Sequence, residues 1–470
     1  MRRELLERAE KERSFDLVVI GGGITGAGIF RRAVASGLKA LLVEQRDFAW
    51  GTSSRSGKMV HGGLRYIKQG QCKLTYHAVR ERERLLKEYP ELVRPLRFAI
   101  PVRKGEKLNR LLYKTGLILY DLFAGKRSHT YVENNKSTIF GMRRDVEGFY
   151  TFHDAVTDDA ALTLHIIKEG ISLGGIAINY AKAVYWDRSG KTKSVVVKDQ
   201  EKGKEIEFLT QTIVVAAGIW SDMWDASIPL RRLRGSHLII EKKIPLEHAV
   251  ALIHPHDKRP LYFLPWMGKL LLGTTDIDHF DNPNREPAID RQEVEYLLEA
   301  LNFWFPETEI TSNDIISTYS GVRAVLFKGK RDPSKETRDH ILKVYDDGIV
   351  VITGGKLTTF DYMAKKVVGI LHRFLSVKKG ILKKTAIAFT PPPEDPVEAI
   401  LHAAREGLCL HLEDIMIRRT RLALLRKDKG FTALERAKPA LMKILNWDEA
   451  RWEEEIEAYR KTLKNYGLPL

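Results

Sequence analysis

Residues 15–44, FDLVVIGGGITGAGIFRRAVASGLKALLVE, set a short apolar run, a glycine turn, a helix-like segment and a second apolar run ending in an acid in immediate succession. That order reads as strand, turn, helix, strand. Gly21, Gly23 and Gly26 have the spacing in which the first glycine permits a tight turn, the second lets backbone approach a pyrophosphate, and the third lets the helix pack closely on the strand. Glu44, 18 residues beyond Gly26, stands where an acid closing the second strand accepts the hydroxyls of an adenosine ribose. The stretch therefore opens a dinucleotide-binding unit with a parallel sheet. By itself it does not choose between a nicotinamide and a flavin dinucleotide.

At 470 residues the chain is long enough for two or three domains, and 44% hydrophobic with 29% charged residues is the composition of a globular protein. The first 14 residues, MRRELLERAEKERS, lack an apolar core and do not read as a secretory signal. No apolar run approaches the roughly 18 to 20 residues that cross a bilayer. Two cysteines, Cys72 and Cys409, rule out a disulfide framework and a cysteine-rich metal or iron–sulfur site and fit a reducing compartment. The 14 histidines show no paired metal-ligand spacing, so no metal is expected. The net charge of +16 attracts anions through its long-range field, yet no basic run interleaved with aromatics marks a nucleic-acid surface.

Beyond the fingerprint, residues 51–66, GTSSRSGKMVHGGLRY, concentrate hydroxyls, glycines and cations. Thr52, Ser53, Ser54 and Lys58 are candidates to donate to a cofactor's ribose and phosphates, while Gly62 and Gly63 let backbone approach a flat ring. Residues 73–89 read as a charge-laced helix. Residues 109–123, NRLLYKTGLILYDLF, combine a strongly apolar segment with flanking Arg110, Lys114, Lys126 and Arg127, which suits either a core helix or one lying at an anionic membrane surface. A helix at 158–170 leads into short β runs over 176–215 that end at Gly218. A three-stranded meander returning to a parallel sheet is the crossover flavoproteins often use, which favours FAD. Residues 231–275 alternate as an antiparallel sheet, with a helix expected at 290–305 and strand character again at 313–327. After strands at 341–345 and 349–352 comes a second organised site, GGKLTT at 354–359, where a glycine-rich helix start offers free N–H groups to an electron-rich partner. Residues from Pro396 onward read as a Leu-rich helical unit.

Together the blocks GGGITGAG, TSSRSGKMVHGGLRY, RGSHLII, YFLPWMGKLLLGTTD, TYSGVRAV, TRDH, GGKLTTF and LEDIMIRRTRLALL resemble, in the same order, those of the FAD-dependent glycerol-3-phosphate dehydrogenases within the D-amino-acid-oxidase-like flavoproteins. The resemblance spans almost the whole chain. It implies an α/β fold, α+β overall: a Rossmann-like FAD-binding domain with a β-meander (1–90, 145–225 and 340–376), an antiparallel-sheet substrate domain (91–144 and 226–339), a linker (377–393) and a small C-terminal helical domain (394–470).

Carried over by position, the resemblance places Gly21, Gly23, Gly26 and Glu44 on the ADP half of FAD. Ser53, Ser54, Lys58, His61, Gly62 and Gly63 would line its phosphates and flavin, with Val184 beside the adenine. Gly218 and Trp220 would pass under the cofactor, and Gly355, Lys356, Leu357 and Thr358 would meet the ring. Arg65, Tyr66, His237, Arg323, Arg338 and Lys356 would surround the substrate. Gly57 stands where the family pattern has a serine. The implied activity is oxidation of sn-glycerol 3-phosphate to dihydroxyacetone phosphate, with electrons passed to a membrane quinone by a cytoplasmic protein attached peripherally to the inner face of the membrane. His237 is the expected base, and Arg323 and Arg338, assisted by Arg65, the expected phosphate ligands. An oxidase reducing oxygen, another amino- or hydroxy-acid flavoenzyme of the same fold, and a homodimer all stay open at this point.

Overall fold

The apolar run that opens the chain is the centre of the first of two sheets. In this computed structural model, strand Ser14–Ile20 pairs in parallel with Ala40–Val43 on one side and Glu205–Val215 on the other. Ile176–Ile178 and Val350–Gly354 extend the parallel sheet outward from these neighbours. The structure describes residues 1–468 except 69, 134–138, 140, 328, 330–335, 337–338, 376–381, 384 and 386, together with the side chains of Arg65 and Lys68. Arg338 and much of the expected linker thus lie outside the described residues. Leu17 to Val19 and Leu41 to Leu42 are wholly buried, as continuous apolar strands are when both faces of a parallel sheet are covered. The covering helices are Ile24–Ala35, Asp159–Ser172 and Phe360–Leu371. The expected meander is present: Ala181–Asp187 and Lys193–Asp199 pair antiparallel and lead into Glu205–Val215.

Among the described residues the second sheet has ten strands and is antiparallel except where Val93–Arg103 lies parallel to Ala249–Ile253. Its core is the run Leu230–Ile240, Lys269–Gly273, Pro260–Trp266 and Ala249–Ile253, with Ile315–Leu326 on the free side of Leu230–Ile240. The boundary expected at residue 145 needs correction. Strand Val146–Thr157 is paired along its length with Val93–Arg103, Phe98 opposite Phe152, and so belongs to this second sheet. The chain returns to the first layer only at helix Asp159–Ser172, whose N-cap Asp158 accepts from Ala160 and Ala161. Met59–Val60 forms the edge of the second sheet, so the loop that follows spans the two layers.

The C-terminal unit is helical as expected, with helices Pro396–Glu406, Phe431–Leu445 and Glu449–Leu463. It is fastened to the first layer by arginines of the RRTRLALL block. Arg418 and Arg419 converge on buried Asp47, and Arg421 reaches Asp158 and Asp159. Burying so many charges is tolerable because each carboxylate meets guanidinium hydrogen bonds.

His411 ties the same unit to the meander, with Glu455 at 2.7 Å and Glu201 at 3.2 Å. Burial opposes its charge, but the two carboxylates prevail and push its pKa up to about 10. A group raised in the folded state contributes stability that is complete below its unfolded pKa of about 6.5 and lost as pH rises through the folded value. The melting temperature is therefore expected to fall between about pH 7 and about pH 10, and His411→Gln to flatten that decline. Parallel pH curves for the two proteins would remove this linkage.

Candidate active site

Between the two sheets lies a cavity of about 740 Å³ that runs from the glycine turn to His237 and Arg323. At its first end Gly21 sits at φ +113°, and a Cβ there would lie 2.5 Å from the carbonyl oxygen of Ala216. Gly21 and Gly23 line the cavity, and Gly26 sits behind them, pressed so closely on Gly21 that a Cβ would be 1.9 Å from its oxygen. Helix Ile24–Ala35 begins at Gly23 without a side-chain cap from that residue, while Ser53 Oγ accepts from Ile24 N–H at 2.9 Å. The helix start therefore presents backbone donors and the positive end of a dipole beside the cavity. Glu44 closes strand Ala40–Val43 and accepts from the N–H groups of Gly22 (2.7 Å) and Arg46 (2.9 Å). Burial raises the pKa of its carboxyl despite these two donors.

The segment 51–66 divides between cavity and support. Thr52, Ser53, His61, Gly63 and Tyr66 line the cavity, the Thr52 hydroxyl donating to Val322 O. Ser54, Lys58 and Gly62 do not, which corrects the expectation that they meet a cofactor. The Lys58 ammonium is fully buried, donating to Asp159 and to Ser54 O at 2.7 Å each, and burial lowers its pKa to about 8. Ser54 is buried behind the loop, and the Gly62 N–H is taken by the Tyr120 hydroxyl at 2.8 Å. Arg65 opens a short helix, Arg65–Lys68, but its side chain is outside the described residues.

The second glycine segment meets the first directly. The Thr358 hydroxyl accepts from His61 N–H at 3.1 Å and lies 3.3 Å from His61 O. Lys356 Nζ stands 3.7 Å from the centre of the Tyr66 ring, and Gly63 leaves the gap between them open: a Cβ there would be 2.9 Å from Nζ. Gly355 and Leu357 line the cavity alongside them, as do Gly218 and Trp220, whose indole N–H donates to Asn284. Val184 lies at the far end near Glu44's strand and is partly open to solvent.

At the opposite end His237 projects from strand Leu230–Ile240 and stacks on Tyr319, ring centres 4.6 Å apart and planes nearly parallel. The Tyr319 hydroxyl is held by Ser56 O. Neither ring nitrogen of His237 has a hydrogen-bond partner among the described residues. Burial, reinforced by the cations of Lys58 and Arg323, holds its pKa well below the ordinary histidine value, so the ring is neutral at neutral pH. Gly57 faces it: a side-chain Cβ on Gly57 would lie 3.5 Å from Nε2.

Arg323 donates to Thr275 O at 2.8 Å and pairs with Asp276 at 3.0 Å. The other Asp276 oxygen pairs with Arg259 at 3.1 Å. Arg259 and Asp276 line the cavity, and reasoning from the sequence missed both. Asp276 closes the quoted block YFLPWMGKLLLGTTD and was within reach; Arg259, in the turn HDKRP, carried no signal. Arg338 lies outside the described residues. The carbonyl oxygen of Asp339 accepts the Gly355 N–H at 3.3 Å.

This geometry defines a dinucleotide flavoprotein, and comparison with known proteins agrees. Residues 16–368 match the family model described as FAD dependent oxidoreductase, and residues 382–452 match the C-terminal domain of alpha-glycerophosphate oxidase. The chain belongs to the FAD-dependent oxidoreductase family.

Within it, the chain is 34% identical over 396 residues to an aerobic glycerol-3-phosphate dehydrogenase of Staphylococcus saprophyticus, covering 81% of this chain and 71% of that protein. Its fold matches that of the glycerol-3-phosphate dehydrogenase from Bacillus halodurans complexed with FAD, at TM-score 0.78 and 24% identity over 99% and 97% of the two chains. It also matches the FAD-bound L-alpha-glycerophosphate oxidase of Mycoplasma pneumoniae, at TM-score 0.65 and 16% identity over 80% and 100%.

The cofactor is FAD, and the residues present fit it. The glycine turn is a cradle that a Cβ would fill, the acid of Glu44 closes the second strand, and the cavity runs on to His237, whose ring nitrogens have no partner among the described residues.

Proposed function

We propose that this protein oxidises sn-glycerol 3-phosphate at carbon 2 to dihydroxyacetone phosphate and passes the electrons to a quinone, working as a peripheral protein on the cytoplasmic face of a membrane. The observation that carries the reading is the convergence of the 51–66 and 354–359 segments, joined through His61 and Thr358, on the cavity that ends at His237, Arg323 and Lys356. No helix among the described residues is long and apolar enough to cross a membrane, which suits peripheral attachment.

FAD, when bound, supplies the acceptor for the hydride of carbon 2. Gly21, Gly23, Glu44 and Ser53 hold the adenosine and pyrophosphate end. Gly63, Gly355, Leu357 and Thr358 shape the ring end. Oxidation of an alcohol also requires removal of its hydroxyl proton, and His237 Nε2 takes it: the ring is neutral, is fixed flat on Tyr319, and opens onto the space left by Gly57.

The substrate phosphate is a dianion, costly to bury without directed cations. Arg323 and Arg259 set against Asp276 leave one net positive charge, which is too little for a dianion. Lys356 supplies further positive charge from the cavity lining, and Arg65 and Arg338 are assigned the remainder by resemblance to the family's pattern. Asp276 orients the two guanidinium forks, and Tyr66 with Lys356 closes over the substrate from the other side.

Replacing Arg323 by leucine removes charged hydrogen bonds of about 2 to 3 kcal/mol, so KM for glycerol 3-phosphate is expected to rise roughly 30- to 150-fold with FAD retained. An unchanged KM would take Arg323 off the phosphate. The reading as a whole is tested by supplying the purified flavoprotein with glycerol 3-phosphate and a dye acceptor: one dihydroxyacetone phosphate should form per substrate consumed. Peroxide formed in air in equal amount to product would move the chain to the oxidases instead.

A further inference from the structure

We infer that the outer face of helix Lys107–Ala124, together with the basic groove beside it, is the surface on which this protein docks to an anionic bilayer. The inference rests on the membrane-quinone reading above and assigns it a place. The helix buries Leu117, Tyr120, Asp121 and Ala124 on its inner side. On the other side Leu108 (70%), Leu111 (61%), Leu112 (51%), Ile118 (50%) and Leu122 (73%) stand exposed. At about 100° per residue these five positions fall within an arc of about 120°, opposite the buried set, and form one apolar ridge in which exposed Thr115 is the polar interruption. Apolar side chains scattered singly over a surface need no explanation, whereas a contiguous ridge of five does.

The charge around the ridge identifies what covers it. The helix contains a single acid, Asp121, which is buried and held by Ser128 and His129. A groove of about 550 Å³ runs along one flank, lined by Lys107, Arg110, Lys114, Arg127 and Tyr131. Lys107, Lys114 and Arg127 make no ion pair among the described residues, while the Arg110 guanidinium, laid over the Tyr131 ring at 4.3 Å, pairs with Glu147 at 3.4 Å. An apolar ridge flanked by four cations, of which Lys107, Lys114 and Arg127 are uncompensated among the described residues, is complementary to acyl chains beneath phosphate headgroups. A second copy of this chain is a poor fit, since a two-fold contact over this ridge would bring the same cations together. The inner side of the helix carries Tyr120, whose hydroxyl accepts from Gly62 beside the cavity, so the docking face and the loop of the site share one rigid element.

The test uses the full-length, FAD-loaded protein in vesicle flotation. It should float with phosphatidylcholine vesicles containing about one third phosphatidylglycerol, and not with phosphatidylcholine alone. The double variant Leu111→Glu, Leu122→Glu should reduce flotation about tenfold or more and lower turnover with quinone-loaded vesicles in parallel, leaving dye-linked turnover in detergent unchanged. Lys107→Ala with Lys114→Ala should also weaken flotation and lessen its salt dependence. Wild-type protein that ignores anionic vesicles, variants that float as well as wild type, or a concentration-dependent dimer abolished by the leucine changes would each overturn the inference. Loss of dye-linked glycerol 3-phosphate oxidation in the wild type itself would overturn the proposed reaction instead, with vesicle binding still readable.

Discussion

Replacing His237 by asparagine is expected to lower turnover at saturating glycerol 3-phosphate by about 10²- to 10⁴-fold, the usual contribution of a positioned general base, while KM and bound FAD change little. Asparagine keeps a polar planar side chain on strand Leu230–Ile240 but offers no nitrogen able to take a proton. A histidine retained for packing alone would give the opposite pattern, a lowered melting temperature with near-normal turnover. The position argues against that role, because both ring nitrogens are buried beside a cavity without a partner among the described residues, an expensive arrangement for a group with no other duty. The pH dependence follows in direction. Since burial and the cations of Lys58 and Arg323 hold the pKa well below the ordinary value, kcat should show no loss from protonation of His237 near the ordinary histidine pKa of about 6.5 and should fall only at more acid pH.

The second large effect is expected at the other end of the cavity. Gly26→Ala should yield protein without flavin colour, because the new Cβ would lie 1.9 Å from Gly21 O, and that contact is between helix and turn backbone, with no flexible side chain to give way. Helix Ile24–Ala35 would have to lift off strand Ser14–Ile20, at a cost of about 1 to 3 kcal/mol or more, and the turn at Gly21 would move with it. Measured FAD content per chain should fall sharply, with restoration only at high added FAD. Full flavin content in the variant would show that the turn does not hold the cofactor.

Much of this architecture is legible in the chain because local pattern and tertiary role coincide there. The glycine spacing, the meander and the strand-rich 231–275 stretch each carry their own periodicity, and each forms the element expected. What escaped depends on partners distant in sequence. Val146–Thr157 reads as a strand in either sheet, and only pairing with Val93–Arg103 decides which. Lys58 belongs to a cation- and hydroxyl-rich loop that suggests a cofactor contact, but its ammonium is claimed by Asp159, 101 residues further on. Arg259 becomes a cavity residue only because Asp276 bridges it to Arg323 across the hairpins of the second sheet. The RRTRLALL arginines are visible as a block, whereas their role in fastening the C-terminal unit depends on Asp47, Asp158 and Asp159. Residues 109–123 left core helix and surface helix open on composition alone. The structure answers with an amphipathic helix whose inner face meets Gly62 and whose outer face is a leucine ridge.

The most direct measurement is to add sn-glycerol 3-phosphate to the purified yellow protein in the absence of oxygen. One equivalent should bleach the flavin colour and release one dihydroxyacetone phosphate, and the His237→Asn protein should bleach slowly by the factor its turnover loses. Protein that keeps its colour with glycerol 3-phosphate, yet bleaches with an amino acid or another hydroxy acid, would contradict the assignment of this cavity to a three-carbon phosphate.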